Sequence, residues 1–410
     1  MDSYVSIIEC KAIYNVTLDC SIRNTTVDGA PSTMIGGYTK GQLPGDPDIA
    51  GIGILGVFVA VTTFAISAGI VSIIWQLAKT FRWKTTYSEK QKVETRHGTS
   101  FSDILESLVL ACSDQQVFTG GAYALTLRYW KGCTISAYHY NIVANMMLLT
   151  CATHLVSVTI VRNYWKFPFL ALLRVIIITS VFTVTGLLMT NQNSNAIMAF
   201  PTSIPDATET QSFLFLPAAC FQAGENTALE TFNEVTSSAR TFFKDNLARS
   251  TPRNKVQGWN LYIITMLFYG AAIIAEVVRF IRRGKTKPGW RSHVGSQFRK
   301  CRGLGTLARR LMQYIYSGYL VLGWILSCAV AIISTRYIFQ LREWVDRSGW
   351  VSLVNNQNPE NDAKSFSQLV PILSSVLIVF SFAQIISGML SLPPLWRMSF
   401  WFVLTQPFRF

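Results

Sequence analysis

Seven stretches of this chain are long and apolar enough to be read as membrane-crossing helices, and nothing else in the sequence limits the fold so strongly. In hydrocarbon every backbone amide must find its partner within the chain, so a span needs about 20 mostly apolar helical residues. The candidates run Ala50–Ala78, Ile104–Leu127, Tyr138–Val161, Phe167–Thr190, Trp259–Phe280, Leu311–Thr335 and Phe366–Leu390. The second is the most polar of them, carrying Glu106 and the run Ser113-Asp114-Gln115-Gln116. Only 14% of the residues are charged, against about 25% in an ordinary soluble domain. The expected fold is therefore all-α, an integral membrane bundle of seven transmembrane helices.

The net charge of +14 raises the question of nucleic acid, and its distribution answers it. With the N-terminus lumenal or extracellular and the C-terminus cytoplasmic, the inner segments carry 21 Lys and Arg and the short outer segments 9. That is the bias that orients membrane proteins. The segment 279–310 alone has eleven basic residues and no acidic one, and reads as a solvated cytoplasmic loop beside anionic lipid. No nucleic-acid partner is expected; the lipid bilayer is. Two sequons, at Asn15 (NVT) and Asn24 (NTT), agree, because glycosylation requires the lumenal side. The opening residues lack a basic region followed by a long apolar run, so the first span is expected to act as an uncleaved anchor.

The organisation follows: a lumenal tail over 1–49, four helices over 50–190, a long lumenal loop over 191–257, three helices over 258–390 around the basic loop, and an interfacial tail over 391–410. Within the long loop, ENTALETFNEVTSSARTFFKDNLARS has apolar positions at helical spacing and reads as an amphipathic lid or as a mobile loop. The tail, rich in Trp and Phe, suits an aromatic interfacial anchor. Cys10, Cys20, Cys133 and Cys220 all fall on the outer side, where an oxidising lumen allows two disulfides in three connectivities. Cys10 with Cys20 and Cys133 with Cys220 is the expected pairing.

Soluble-enzyme signatures are missing. There is no GxxxxGK[ST], GxSxG, HExxH, CxxC or DDxxD, so no metal or cofactor is expected. The polar groups inside spans are the remaining candidates, since they are costly in hydrocarbon. Asp114, Glu106 and His154 are the candidate catalytic groups, with Gln115, Gln116, His139 and Asn145 as candidate substrate contacts. At mid-bilayer Asp114 is either a carboxyl kept neutral and able to donate, or an Asp tied to another helix. His139 suits an outer aromatic belt as well as a site, and Arg174 could pair with Glu276. The glycines of GIGILG and of Gly120-Gly121 read as smooth faces for close helix packing.

The stretch DPDIAGIG (Asp46–Gly53), with CSDQQVFTGGAYAL, ISAYHYNIVANM and THLVSVTIVRNYW between Cys112 and Trp165, resembles a group of fungal multi-pass membrane proteins. The resemblance covers about the first half of the chain. Some relatives belong to secondary-metabolite gene clusters, including the paxilline synthesis protein A type of indole-diterpene pathways. It implies a protein of fungal secondary metabolism in the endoplasmic reticulum or plasma membrane, beside other pathway enzymes. The activity so implied is a membrane-embedded, acid-catalysed, metal-free terpene cyclase acting on a lipophilic prenylated small molecule. A seven-helix receptor, or a transporter of a metabolite, is the alternative. Against the first stands the lack of DRY-like and NPxxY-like patterns, and against the second the lack of a legible inverted repeat.

Overall fold

The computed structural model describes residues 6–27, 29–82, 101–129, 131–161, 168–192, 200–222, 256, 258–283, 304–354, 356–363, 368–376 and the single positions 378, 380 and 383. The described chain is mostly helical. The suggested lid helix, the aromatic tail, most of the basic loop and most of the last expected span lie outside these residues.

The N-terminal region opens with α1 (Ile7–Ala12), started by a reciprocal capping box in which Ser6 and Glu9 each accept the other's backbone N–H. Strands β1 (Ile22–Val27) and β2 (Ala30–Ile35) follow as an antiparallel hairpin, with Asn24 opposite Thr33. The all-α expectation stands for a chain this helical, with one hairpin beside the helices: a segment too polar to cross a membrane still has backbone groups to pair, and a turn at Gly29, φ 78°, pairs them. A single turn, α2 (Pro47–Ala50), capped by Asp46 with Pro47 in its first position, leads into α3 (Ile52–Arg82).

The bundle continues with α4 (Phe101–Tyr129), α5 (Ala137–Ile160), α6 (Pro168–Asn191), α7 (Trp259–Arg283) and α8 (Leu304–Ser348). Helix α5 is the axle. All of its residues are buried, and it packs against α3, α4, α6, α7 and α8. It carries polar groups on several faces, His139, Asn141, Thr153, His154 and Ser157 among them, and their partners lie within the protein, which is why it takes the centre. Its neighbours approach closely at glycines: a Cβ on Gly69 would stand 2.9 Å from both Val156 and Ile160, and one on Gly120 would stand 3.0 Å from Thr150 Oγ1. Among the described residues four helical stretches, Pro47–Trp75, Ala137–Ile160, Phe169–Asn191 and Ser317–Ser348, are long and apolar enough to cross a membrane. Outer helices expose large apolar side chains such as Phe169, Leu172 and Ile332 to whatever surrounds the bundle.

One end of the bundle is capped. Helix α8 does not stop near Thr335, as the charges of Arg336, Arg342, Glu343, Asp346 and Arg347 suggest, but runs on to Ser348. Those charges mark where the helix leaves an apolar environment, not where it ends; at 1.5 Å per residue its 45 residues reach about 67 Å. Residues 200–222 run along this extension. Tyr337 Oη donates to the Thr202 carbonyl at 2.7 Å, Trp344 Nε1 to that of Asp206 at 3.2 Å, and Phe215 stacks on both Trp344 and Trp350.

Two disulfides tie the N-terminal region to the cap, with a pairing different from the expected one. Cys10 is bonded to Cys133 and Cys20 to Cys220. Cys10 faces inward from α1 against Cys133 and Ala219, whereas Cys20 enters the hairpin beside the 218–221 turn. Nearness in sequence lost to the direction in which each side chain points.

Candidate functional site

Two polar centres lie within the fold, one deep in the bundle and one beneath the cap. The deep centre forms where α4, α5, α6 and α7 meet. Ser113 of α4 and His154 of α5 are both buried, with Ser113 Oγ 2.7 Å from His154 Nδ1. Ser157, one turn further along α5, places its hydroxyl 3.2 Å from the same nitrogen and donates to the His154 carbonyl at 2.8 Å. If Ser113 donates to Nδ1 the ring hydrogen lies on Nε2; in either tautomer Nε2 is buried without a hydrogen-bond partner. The imidazole meets the Tyr269 ring edge-on at 5.4 Å between centroids, and Tyr269 stacks on Phe182 at 4.5 Å.

Beside Ser113, Asp114 turns toward α6 and takes both Arg174 Nε, at 2.9 Å to each oxygen, and Arg174 Nη2, at 2.6 Å. Of the two alternatives for Asp114, the Asp tied to another helix is the one found: it accepts from Arg174 as a bidentate partner. Arg174 pairs with Asp114, while the side chain of Glu276 lies outside the described residues. The two side chains are 27% and 26% exposed, so the pair joins α4 and α6 while remaining partly exposed.

The other expected contacts divide among separate tasks. Gln116 Nε2 reaches α3, donating at 2.8 Å to both the Phe58 carbonyl and Thr62 Oγ1, and Thr153 of α5 joins the same group. Gln115 Nε2 donates to Ser374 Oγ at 3.2 Å, tying α4 to the helical segment 368–376. Both glutamines keep a buried Oε1 without a partner. Asn145 Nδ2 bonds the Asn141 carbonyl within α5, one turn back, and contributes packing rather than a contact to the deep centre. Glu106 is buried on α4 eight residues before Asp114, about 12 Å along the axis, so the three candidate catalytic groups are not brought together. Asn15 and Asn24 are exposed, Asn15 in a turn with φ 53°.

The cap centre is built on Glu360, a residue that sequence reasoning missed. It is 1% exposed and accepts from His139 Nε2 at 2.9 Å, Tyr138 Oη at 2.9 Å and the Asp46 amide at 3.1 Å. His139 is therefore part of a buried latch and not of an aromatic belt. Its Nδ1 lies 2.8 Å from Ser136 Oγ, the cap of α5. Arg342 of α8 donates to Asn361 Oδ1 at 2.6 Å, and Lys131 pairs with Asp46. Glu360 stands 221 residues from His139, and no local pattern announces such a partnership.

Burial by itself would raise the Glu360 pKa, but the hydrogen bond and charge of His139 and the bonds from Tyr138 and Asp46 outweigh it and hold the carboxyl below its ordinary value of 4.5. A depressed folded value contributes stability that is present above the unfolded value and lost as pH falls through the folded one. The cap is expected to stay closed through mild acidity and to loosen only below the ordinary carboxylate range. Amide exchange of residues 350–361 measured down a pH series checks this; Glu360→Gln should flatten the profile, and an unchanged profile in that variant would assign the acid sensitivity elsewhere.

Among the described residues no three His, Cys, Asp or Glu side chains come together in a way that would hold a metal ion. No family model, no curated protein and no solved structure matches the chain. What supports a functional reading is therefore the site's own geometry.

Proposed function

We propose that the chain is a seven-helix protein of a fungal secretory membrane, the endoplasmic reticulum or the plasma membrane, and that it cyclises a lipophilic prenylated molecule held between α4, α5, α6 and α7. Helices α3 to α8 and the segment 366–390 cross the bilayer, with the N-terminus lumenal and the C-terminus cytoplasmic. Three features support that orientation: the basic bias of the opposite loops, two exposed sequons, and two disulfides, which persist in an oxidising compartment.

The observation that carries the reading is His154 Nε2, a buried ring nitrogen without a hydrogen-bond partner, in a ring that meets Tyr269 and lies near a partly exposed ion pair; with the ring hydrogen on Nε2 it is a donor without an acceptor. An unpaired polar atom at membrane depth is costly and marks a functional group by default. An oxygen on the substrate would complete it, and donation from Nε2 would polarise that oxygen's bond to carbon. The faces of Tyr269 and Phe182 would stabilise the positive charge that develops. Asp114 has a different role from the acid expected of it: it neutralises and positions Arg174, keeping a cation away from the developing charge.

Expression of the chain in a host that supplies a prenylated, epoxide-bearing precursor should give a cyclised product in the membrane fraction. His154→Ala should abolish that product while glycosylation at Asn15 and Asn24 stays intact, and His154→Gln, which keeps an N–H donor, should retain part of it. Undiminished product from His154→Ala would remove the proposed group, and no product from the unaltered chain would remove the activity.

A further inference from the structure

We propose that the outer disulfides are set by a second protein, a lumenal thiol–disulfide exchange partner that rearranges an early Cys10–Cys20 bond into the two bridges of the folded chain. This rests on reading the N-terminal region as lumenal. The observation behind it is the connectivity. Along the chain the order is Cys10, Cys20, Cys133, Cys220, and the bonds join the first to the third and the second to the fourth. Each bond crosses the other, and neither joins neighbours in sequence.

Chain order favours a different bond first. Cys10 and Cys20 both precede α2 and α3, whereas Cys133 follows α4 and Cys220 follows α6. Synthesis proceeds at about 5 to 20 residues per second, so the two N-terminal thiols stand in the lumen for several seconds before either native partner is made. Loop closure adds to this head start. Its probability falls roughly as the 3/2 power of loop length, so the ten-residue loop from Cys10 to Cys20 closes about 40-fold more readily than the 123-residue loop from Cys10 to Cys133.

The folded state then selects against that bond. Cys10 packs with Cys133 and Ala219 in a small apolar cluster beside Val16 and Leu18, while the next residue, Cys220, holds Cys20. The two bridges are thus neighbours at the 218–221 turn, and exchange between the two pairings is local. It also conserves electrons. An external thiolate attacks the Cys20 sulfur of Cys10–Cys20, forming a mixed disulfide and freeing the Cys10 thiolate. Cys10 attacks the Cys133 sulfur of Cys133–Cys220 and frees Cys220; Cys220 attacks the Cys20 sulfur, closes Cys20–Cys220 and expels the external thiolate unchanged.

That thiolate comes from another molecule. With all four outer cysteines bonded, the thiols left among the described residues, Cys112, Cys151 and Cys328, lie within α4, α5 and α8. The flanks of Cys10, with Ile7, Ile8, Ile13 and Tyr14, are apolar, which gives a protein a surface to hold that a small thiol cannot use. Cys10, Cys133 and Cys220 are 0%, 7% and 1% exposed in the finished fold, so the partner acts before the region packs and the bridges are closed to it afterwards.

Cell-free translation of the full chain into sealed microsomes, emptied of lumenal proteins and refilled with a glutathione redox buffer, tests this with and without a purified dithiol exchange protein. Samples quenched with N-ethylmaleimide at intervals are mapped for linked peptides. With the exchange protein, Cys10–Cys20 should appear first and give way to Cys10–Cys133 and Cys20–Cys220; with buffer alone the conversion should be several-fold slower. An exchange protein reduced to its attacking cysteine should be trapped on the unaltered chain and not on a Cys10→Ser, Cys20→Ser double variant. Native bridges that form without a Cys10–Cys20 stage, or equally fast in buffer alone, would overturn the proposal and leave the orientation in place. Alkylation of all four cysteines by an impermeant maleimide outside sealed microsomes would overturn the lumenal reading itself.

Discussion

Replacing Asp114 by Asn is expected to cost stability more than chemistry, by about 3 to 5 kcal/mol, because removing one partner of a buried ion pair leaves the other charge uncompensated. Arg174 would then stand with no counter-charge, and its exposure of about a quarter places the effect toward the lower end of that range. Arg174→Gln should cost a similar amount for the mirrored reason. The double variant Asp114→Asn with Arg174→Gln should recover most of the loss, since no charge remains to be solvated. Thermal unfolding of the four proteins in nanodiscs gives the coupling directly. If the two single losses simply add in the double variant, the pair does not exist in the membrane and the deep centre described above is wrong.

Loss of the Cys20–Cys220 disulfide is the second large effect, at about 2 to 5 kcal/mol by analogy with native bridges in secreted domains. The bond spans 200 residues and fastens the hairpin to the turn that packs beside α5, so its removal should free the hairpin and raise amide exchange across residues 19–36. Loss of Cys10–Cys133 should act more locally, on α1. The connectivity itself has a sharp test. In a Cys10→Ser protein the thiol that becomes alkylated should be Cys133; alkylation of Cys20 would restore the pairing of near neighbours that the sequence suggests and would leave the N-terminal region without a covalent tie to the bundle.

The parts of this protein that were legible in the sequence are those set by local composition. Span positions follow from hydropathy, because the demand for internally satisfied backbone amides acts on each segment separately. The long apolar helices Pro47–Trp75, Ala137–Ile160 and Phe169–Asn191 lie where three of the seven apolar stretches do, allowing a few residues at the ends, and Ser317–Ser348 overlaps a fourth but runs thirteen residues past Thr335. The identity of the four outer cysteines was also readable, as was the presence of polar groups in α4 and α5. Glycines 69 and 120 pack closely, as small residues on membrane helices do.

Partnerships were a different matter. Asp114 with Arg174, His139 with Glu360, and Cys10 with Cys133 join residues 60, 221 and 123 positions apart, and nothing in the flanking residues distinguishes these partners from others of the same type. Charge reads as a boundary in a sequence, so Arg342 and its neighbours announced the end of an apolar segment while the helix itself continued to Ser348. The sequence by itself determined which segments seek an apolar environment, since transfer free energy is a property of each residue and its near neighbours. Only the tertiary structure decided what each buried polar group faces, because hydrogen bonds and disulfides depend on the direction of side chains brought together from distant parts of the chain.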